Sequence, residues 1–221
     1  MLTRIIGDIH GDFNEYKKVA TDNFDGPTLQ LGDFGIGFAG PHWHDRVNEF
    51  QETGRHLFIR GNHDNPQKCG DMFGYIHDGT MYQGAMFIGG AWSIDYAWRT
   101  PGVSWWENEE CSYGEFEDFL EMYKEYKPQV MITHDGPMKV AEEMFVKSGY
   151  AMGGPNTRII PTRTGQALQA MLDFHQPKYW FFGHWHKTMQ YKYGDTNFHC
   201  LGELDYVDFN FKTLEYGDST T

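Results

Sequence analysis

The chain has 221 residues, 40% of them hydrophobic and 17% aromatic, which suits one largish domain and is too apolar for a disordered polypeptide. No window approaches the roughly 18 uninterrupted apolar residues a membrane-spanning helix needs, and a soluble globular protein is expected. A net charge of −13 opposes non-specific grip on long nucleic acid, which depends on Lys and Arg displacing phosphate counterions.

The chain enters a strand within its first few residues, leaving no basic and apolar leader, and a cytoplasmic protein is expected. That strand runs through Ile5 and Ile6 into Gly7-Asp8-Ile9-His10-Gly11-Asp12. Phe13, Tyr16, Val19 and Ala20 then recur at helical steps, predicting a helix from Phe13 to Asn23 that Asp12 would cap. A strand from Thr28 to Leu31 follows, then a glycine-rich loop, Gly35 to Pro41, a helix from about His44 to Gly54, and a strand from Leu57 to Ile59. This alternation implies βαβ units.

Met86 to Gly90 reads as a further strand, and Ala91 to Trp106 as an irregular insertion carrying Trp92, Trp98, Trp105 and Trp106 with Asp95 and Arg99. The acidic residues just beyond it, Glu107, Glu109 and Glu110, read as a solvated face. Helical spacing covers Tyr113 to Tyr126, with Pro128 stopping it before a strand from Val130 to Thr133. A short helix is expected within Met138 to Ser148, a Gly- and Pro-rich loop from Gly149 to Thr162, and a helix from Arg163 to Phe174. The last strands fall around Trp180 to Phe182, Met189 to Tyr193, Phe198 to Leu201 and Val207 to Phe211. One domain over 1–216 with a frayed tail over 217–221 is the expectation. Cys69, Cys111 and Cys200 lack the spacing of a zinc ribbon and are expected to be inert thiols.

Five apolar runs end in Gly or Thr and then in metal-binding residue types: Asp8 and His10, Gly32-Asp33, Gly61-Asn62-His63-Asp64, Thr133-His134-Asp135, and Gly183-His184-Trp185-His186. Two residues apart at a strand end, Asp8 and His10 share one face. Singly, each motif is weak. In this order they resemble the calcineurin-like metallophosphoesterase superfamily, across Gly7 to His186.

That resemblance implies an α/β fold in which two mixed sheets pack face to face with helices outside, a four-layer α/β/β/α sandwich. The donors Asp8, His10, Asp33, Asn62, His134, His184 and His186 are oxygens and nitrogens without thiolate, too many for one ion and suited to two about 3.5–4 Å apart. Manganese is the first choice, with iron, zinc, nickel or magnesium as alternatives. By the family pattern Asp8, His10 and His186 hold one ion, Asn62, His134 and His184 the second, and Asp33 bridges them. A hydroxide between the ions is then the expected nucleophile, and His63 the acid at the leaving group.

The resemblance implies an enzyme that hydrolyses a phosphomonoester or phosphodiester, with a small-molecule or nucleotide-type substrate given the acidic surface. Arg99, Arg60 and Asn62 are the expected substrate-binding residues, Arg158 and Arg163 further candidates, and Arg99 is favoured because its aromatic loop pairs a cation with a stacking surface. Phosphoprotein phosphatases of the superfamily read Gly-Asp-x-Val-Asp-Arg-Gly at the second motif. Here Ile36 and Gly37 stand where that second Asp and the Arg would be. The group that orients His63 must therefore lie elsewhere, with Asp64 and Asp95 as candidates. The rivals are a serine/threonine-type or dinucleotide polyphosphate phosphatase and, in another class, a non-catalytic protein-binding scaffold.

Overall fold

A computed structural model describes residues 1–149 and 160–217; Arg158, most of the Gly149 to Thr162 loop and the end of the tail lie outside the described residues. The first sheet is built on three parallel strands, β1 (Thr3–Ile6), β2 (Thr28–Gln30) and β3 (His56–Phe58), with Ile6 level with Gln30 and Gln30 with Phe58. The second contains β4 (Thr80–Tyr82), β5 (Ala85–Ile88), β6 (Val130–Thr133), β7 (Tyr179–Phe182), β8 (Met189–Tyr193) and β9 (Thr196–Cys200), in the order β4-β5-β6-β7-β9-β8. β10 (Tyr206–Asn210) returns to pair antiparallel with β1 and is edged by β11 (Glu215–Tyr216), which completes the five-stranded sheet β11-β10-β1-β2-β3.

The two sheets pack face to face. Ile5, Leu29 and Leu31 from the first meet Phe87, Val130, Ile132 and Phe181 from the second in one buried cluster. Because side chains alternate along a strand, the neighbouring Ile6 and Phe58 face outward. They bury against α1 (Phe13–Thr21), α2 (Pro41–Gln51) and α3 (Pro66–Cys69) through Phe13, Tyr16, Val47 and Cys69. On the far side, α4 (Tyr113–Tyr126), α5 (Met138–Ala141), which runs on as a π-turn over Glu142–Val146, and α6 (Arg163–Phe174) cover Met86, Met131, Trp180 and Phe198. The layers are therefore helix, sheet, sheet, helix. Strands buried on both faces explain why the sequence shows continuous apolar runs rather than alternation.

Local signals set the element ends. Asp12 accepts from the Glu15 N–H at 3.1 Å and starts α1, Ser112 and Glu115 form a reciprocal capping box on α4, and Thr162 accepts from the Gly165 N–H at 3.0 Å to start α6. α2 begins earlier than its periodicity suggests because Pro41 sits in its first turn, where a missing N–H costs nothing. No helix among the described residues is long and apolar enough to cross a membrane. The C-terminal ends of β1, β2, β3, β6 and β7 all point to the same edge of the sandwich, and the five motif loops meet there.

Candidate metal centre

Close backbone approach assembles the site. Asp8, with no exposed surface, accepts from the His184 N–H at 3.2 and 3.1 Å, so the first and last motifs are tied across the two sheets. A Cβ on Gly183 would fall 2.2 Å from the Asp8 carboxylate, and one on Gly61 would fall 2.0 Å from that of Asp33. Only glycine lets those loops come so near. His10, Asp33, His184 and His186 all hold left-handed backbone, at φ 45, 55, 65 and 50°. Such strain costs about 1–2 kcal/mol per residue, and its concentration in four residues of one cluster is characteristic of a functional site.

The donor atoms fall into two groups that share one carboxylate. In the first, the Nε2 atoms of His10 and His186 face each other at 3.0 Å, His186 Nε2 lies 3.4 Å from Asp8 Oδ2, and His10 Nε2 lies 3.9 Å from Asp33 Oδ2. In the second, His134 Nε2 lies 3.3 Å from Asp33 Oδ1 and 3.1 Å from Asn62 Oδ1, with His184 completing the group. All seven predicted donors therefore lie together.

The donor chemistry fits cations. Asp33 Oδ2 is buried without a hydrogen-bond partner, a costly state for a carboxylate oxygen. Two imidazole nitrogens facing at 3.0 Å are satisfied by one proton shared between them or, when both present lone pairs, by a cation. Burial alone would raise the Asp33 carboxyl, but the charges of His134, His63 and His10 overturn this and hold it below the usual carboxylate range. Burial would lower His134, yet Asp33 and its hydrogen bond, with Asp8, push the imidazole up to about 10. The hydrogen bond to Asp8, ahead of the burial that opposes it, raises His186. These carboxylates thus draw protons onto the very nitrogens a metal would occupy.

Surrounding groups fix the donors. His134 Nδ1 donates to the Leu31 carbonyl at 2.7 Å, which turns Nε2 toward Asp33. His186 Nδ1 lies 3.3 Å from Glu203 Oε1. Sequence reasoning missed Glu203, although Leu201-Gly202-Glu203 repeats the pattern of an apolar run, a glycine and an acid.

His63 donates its backbone N–H to Asp33 Oδ1 at 2.7 Å, stacks on Phe38 with ring centres 6.0 Å apart, and meets Arg99 Nη2 through its Nε2 at 2.5 Å. Burial, with the charges of Arg99, His10 and His134 acting against Asp33, lowers its imidazole to about 4. Arg99 is itself held by Asp95 at 2.6 Å and by the Ser104 carbonyl at 3.2 Å. Asp95 therefore bears on His63 only through Arg99. Asp64 does not reach the imidazole. It accepts from the backbone N–H groups of Phe34, Gly35, Ile36 and Gly61 at 2.7 to 3.1 Å, pinning the loop that carries Asp33, and burial foremost raises its carboxyl to about 6.

Arg60 lies elsewhere than expected. Its buried guanidinium donates to Asp78 at 2.7 Å, to the Asn108 and Glu109 carbonyls at 3.0 and 2.7 Å, and to Cys111 Sγ at 3.1 Å, which commits it to joining loops rather than to a phosphate. Arg163 donates to the Cys111 carbonyl at 3.0 Å and lies over the Tyr113 ring; with Arg60 it lines a flanking cavity of about 640 Å³ that none of the seven donors borders. The solvated acidic face is also corrected. Glu107 is exposed, but Glu109 and Glu110 are 2% and 7% exposed, Glu109 bound to Ser93 and Glu110 accepting from the Thr164 N–H at the start of α6.

The sequence pattern of the calcineurin-like phosphoesterases matches residues 1–188. No curated protein matches the sequence. A Staphylococcus aureus protein assigned as a 5'-nucleotidase, solved in complex with alpha-ketoglutarate, superposes with a TM-score of 0.52 at 13% identity, covering 95% of this chain and 50% of its own. This chain thus spans about half the length of that structure. GAP50, the anchor in the inner membrane complex of Plasmodium, aligns at TM-score 0.47 and 13% identity over 91% of this chain and 71% of its own. A conserved Streptococcus pneumoniae protein described as a predicted phosphoesterase aligns at 0.35 and 9% identity over 99% and 95%.

Proposed function

This chain belongs to the calcineurin-like phosphoesterase family; from that premise we propose that it is a metal-dependent phosphoric ester hydrolase that uses two divalent ions, manganese first among them, on small phosphomonoesters or phosphodiesters of nucleotide type. Asp8, His10 and His186 would hold one ion and Asn62, His134 and His184 the other, with Asp33 between them. When bound there, the ions supply concentrated positive charge and lower the pKa of a water molecule from near 16 to roughly 7.

The protein's own residues supply position and proton traffic. Asp33 faces both donor groups, and its Oδ1 also holds the His63 backbone. His63 is thereby fixed beside the donors, where its imidazole serves the departing oxygen as proton or hydrogen-bond donor. Negative charge on a bound phosphoryl group favours the protonated imidazole and draws Arg99 from its Nε2, against the burial and the Arg99 charge that lower it in the resting site. Arg99 lies at the same edge, and its guanidinium both braces His63 and offers the phosphoryl oxygens a cation. Asn62 is a second contact for those oxygens through its place at the second ion.

The reading rests on a single observation: the shared, buried Asp33 carboxylate with an unpartnered oxygen between two groups of donors. A serine/threonine-type phosphatase is disfavoured because Ile36 and Gly37 stand where that branch has its Asp and Arg. The test is turnover of p-nitrophenyl phosphate, bis-p-nitrophenyl phosphate, cyclic nucleotides, diadenosine tetraphosphate and a phosphopeptide, before and after chelation and with each metal restored. Hydrolysis of the small esters that disappears on chelation and returns best with manganese is expected. Activity untouched by exhaustive chelation would overturn the proposal.

A further inference from the structure

Asn62 can turn either its carbonyl oxygen or its amide nitrogen toward the second donor group, and only the oxygen can bind a cation. A chain of buried groups in the insertion settles which. Asn62 Nδ2 donates to Ser93 Oγ at 3.0 Å, and Ser93 Oγ donates onward to Glu109 Oε2 at 2.6 Å. The Ser93 N–H also donates to Glu109 Oε1 at 2.8 Å, so both carboxylate oxygens are occupied as acceptors. Asn62, Ser93 and Glu109 are 3%, 1% and 2% exposed, which leaves water little part in the arrangement.

The direction of this chain is imposed from its outer end. A carboxylate only accepts, so the Ser93 hydroxyl must point its hydrogen at Glu109 and its lone pair at Asn62. The nitrogen of Asn62 must then face Ser93, and its oxygen must face His134, where Oδ1 lies 3.1 Å from Nε2. A reversed amide would leave an N–H group aimed into the donor cluster and two oxygens opposed at Ser93.

We infer that Glu109 and Ser93 are positioning residues that lock the Asn62 carbonyl toward the second ion. The inference rests on the two-ion reading and adds to it a residue pair that touches neither metal nor substrate. It also gives the insertion a role apart from substrate contact: Ser93 holds Asn62 while Arg99 of the same segment holds His63.

The test is calorimetric titration of the metal-stripped full chain with manganese, for the parent, Ser93→Ala, Glu109→Gln and the exposed neighbour Glu107→Gln. Ser93→Ala removes the acceptor, and Glu109→Gln adds a donor that lets the chain reverse. Loss of a buried outer partner of a metal site typically weakens binding 10- to 100-fold, so both variants should lose about that much affinity for one ion and keep the other. Glu107→Gln should match the parent, and Ser93→Thr, which keeps the hydroxyl, should restore the affinity that Ser93→Ala loses. Two ions bound with parental affinity by folded Ser93→Ala and Glu109→Gln would overturn the positioning role while leaving the two-ion reading intact. Fewer than two ions on the parent would overturn that reading, and this inference with it. Glu109→Gln risks misfolding because it is buried, and Ser93→Ala then decides alone, since a merely structural part would lower its melting temperature without singling out one ion.

Discussion

The two sheets meet at the candidate site with unequal chemistry. The five-stranded sheet delivers Asp8, Asp33 and Asn62, which are oxygen donors, together with His10; the six-stranded sheet delivers His134, His184 and His186, all imidazoles. Neither half makes a metal site by itself. One would set two carboxylates beside a single imidazole and an amide, too few donors for two ions, and the other would gather imidazoles without compensating charge. Only where β1 and β7 are tied, through Asp8 and the His184 N–H, do the halves become complementary. Ions bound there would also join the sheets, so loss of metal bears on stability as well as on activity.

Substituting Asp33→Asn breaks this comparison most severely, because that carboxylate serves both donor groups. Turnover should fall to background, and bound manganese, measured by elemental analysis, should fall below two per chain. His63→Ala should keep both ions and slow turnover about 10²- to 10⁴-fold, the usual worth of a positioned acid. Loss of metal in that variant would show that His63 is a ligand instead. Stripping the metal from the parent should lower the melting temperature. With free manganese at 100 times its dissociation constant, one site adds about 2.7 kcal/mol, or roughly 5–10 °C for a chain of this size. Asp33→Asn should show a smaller shift.

Away from the site, the two sheets compare on stability alone. Each holds one buried histidine whose imidazole is lowered to about 4, His56 in β3 by burial and the nearby Arg55 charge, His199 in β9 by burial. Above the ordinary histidine value of about 6.5 neither state binds a proton, and no stability is lost. As pH falls toward 4 the unfolded chain takes up protons that the fold excludes, so stability declines across that window, by about 1–3 kcal/mol per histidine. Denaturant titrations at pH 7 and pH 4.5 check this, and His56→Gln with His199→Gln should flatten the difference.

Sequence and structure agree where local chemistry is decisive. α4, β6 and α6 occupy the ranges their periodicity predicts, because a capping box, a following proline and a threonine cap mark their ends. The edge strands β4 and β11 went unpredicted: both are short, and their pairing rather than their composition makes them strands. The seven donors were legible because each follows an apolar run at a strand end. Their supporting groups were not. Glu109 sits in a run of acids that reads as surface, and nothing local distinguishes it from the exposed Glu107. Arg60 and Arg99 read alike as phosphate cations, and only their neighbours separate a loop brace from a group at His63.

By itself the sequence determined the family and the strand ends that carry the candidate donors, since the motifs and their spacing along each strand end are written in residue order. The tertiary structure decided which groups stand behind the site's side chains: Glu203 beside His186, Arg99 beside His63, Ser93 and Glu109 behind Asn62. Such partners lie up to 47 residues away in the chain, as Glu109 is from Asn62, and a hydrogen bond depends on proximity in space, which residue order alone does not encode.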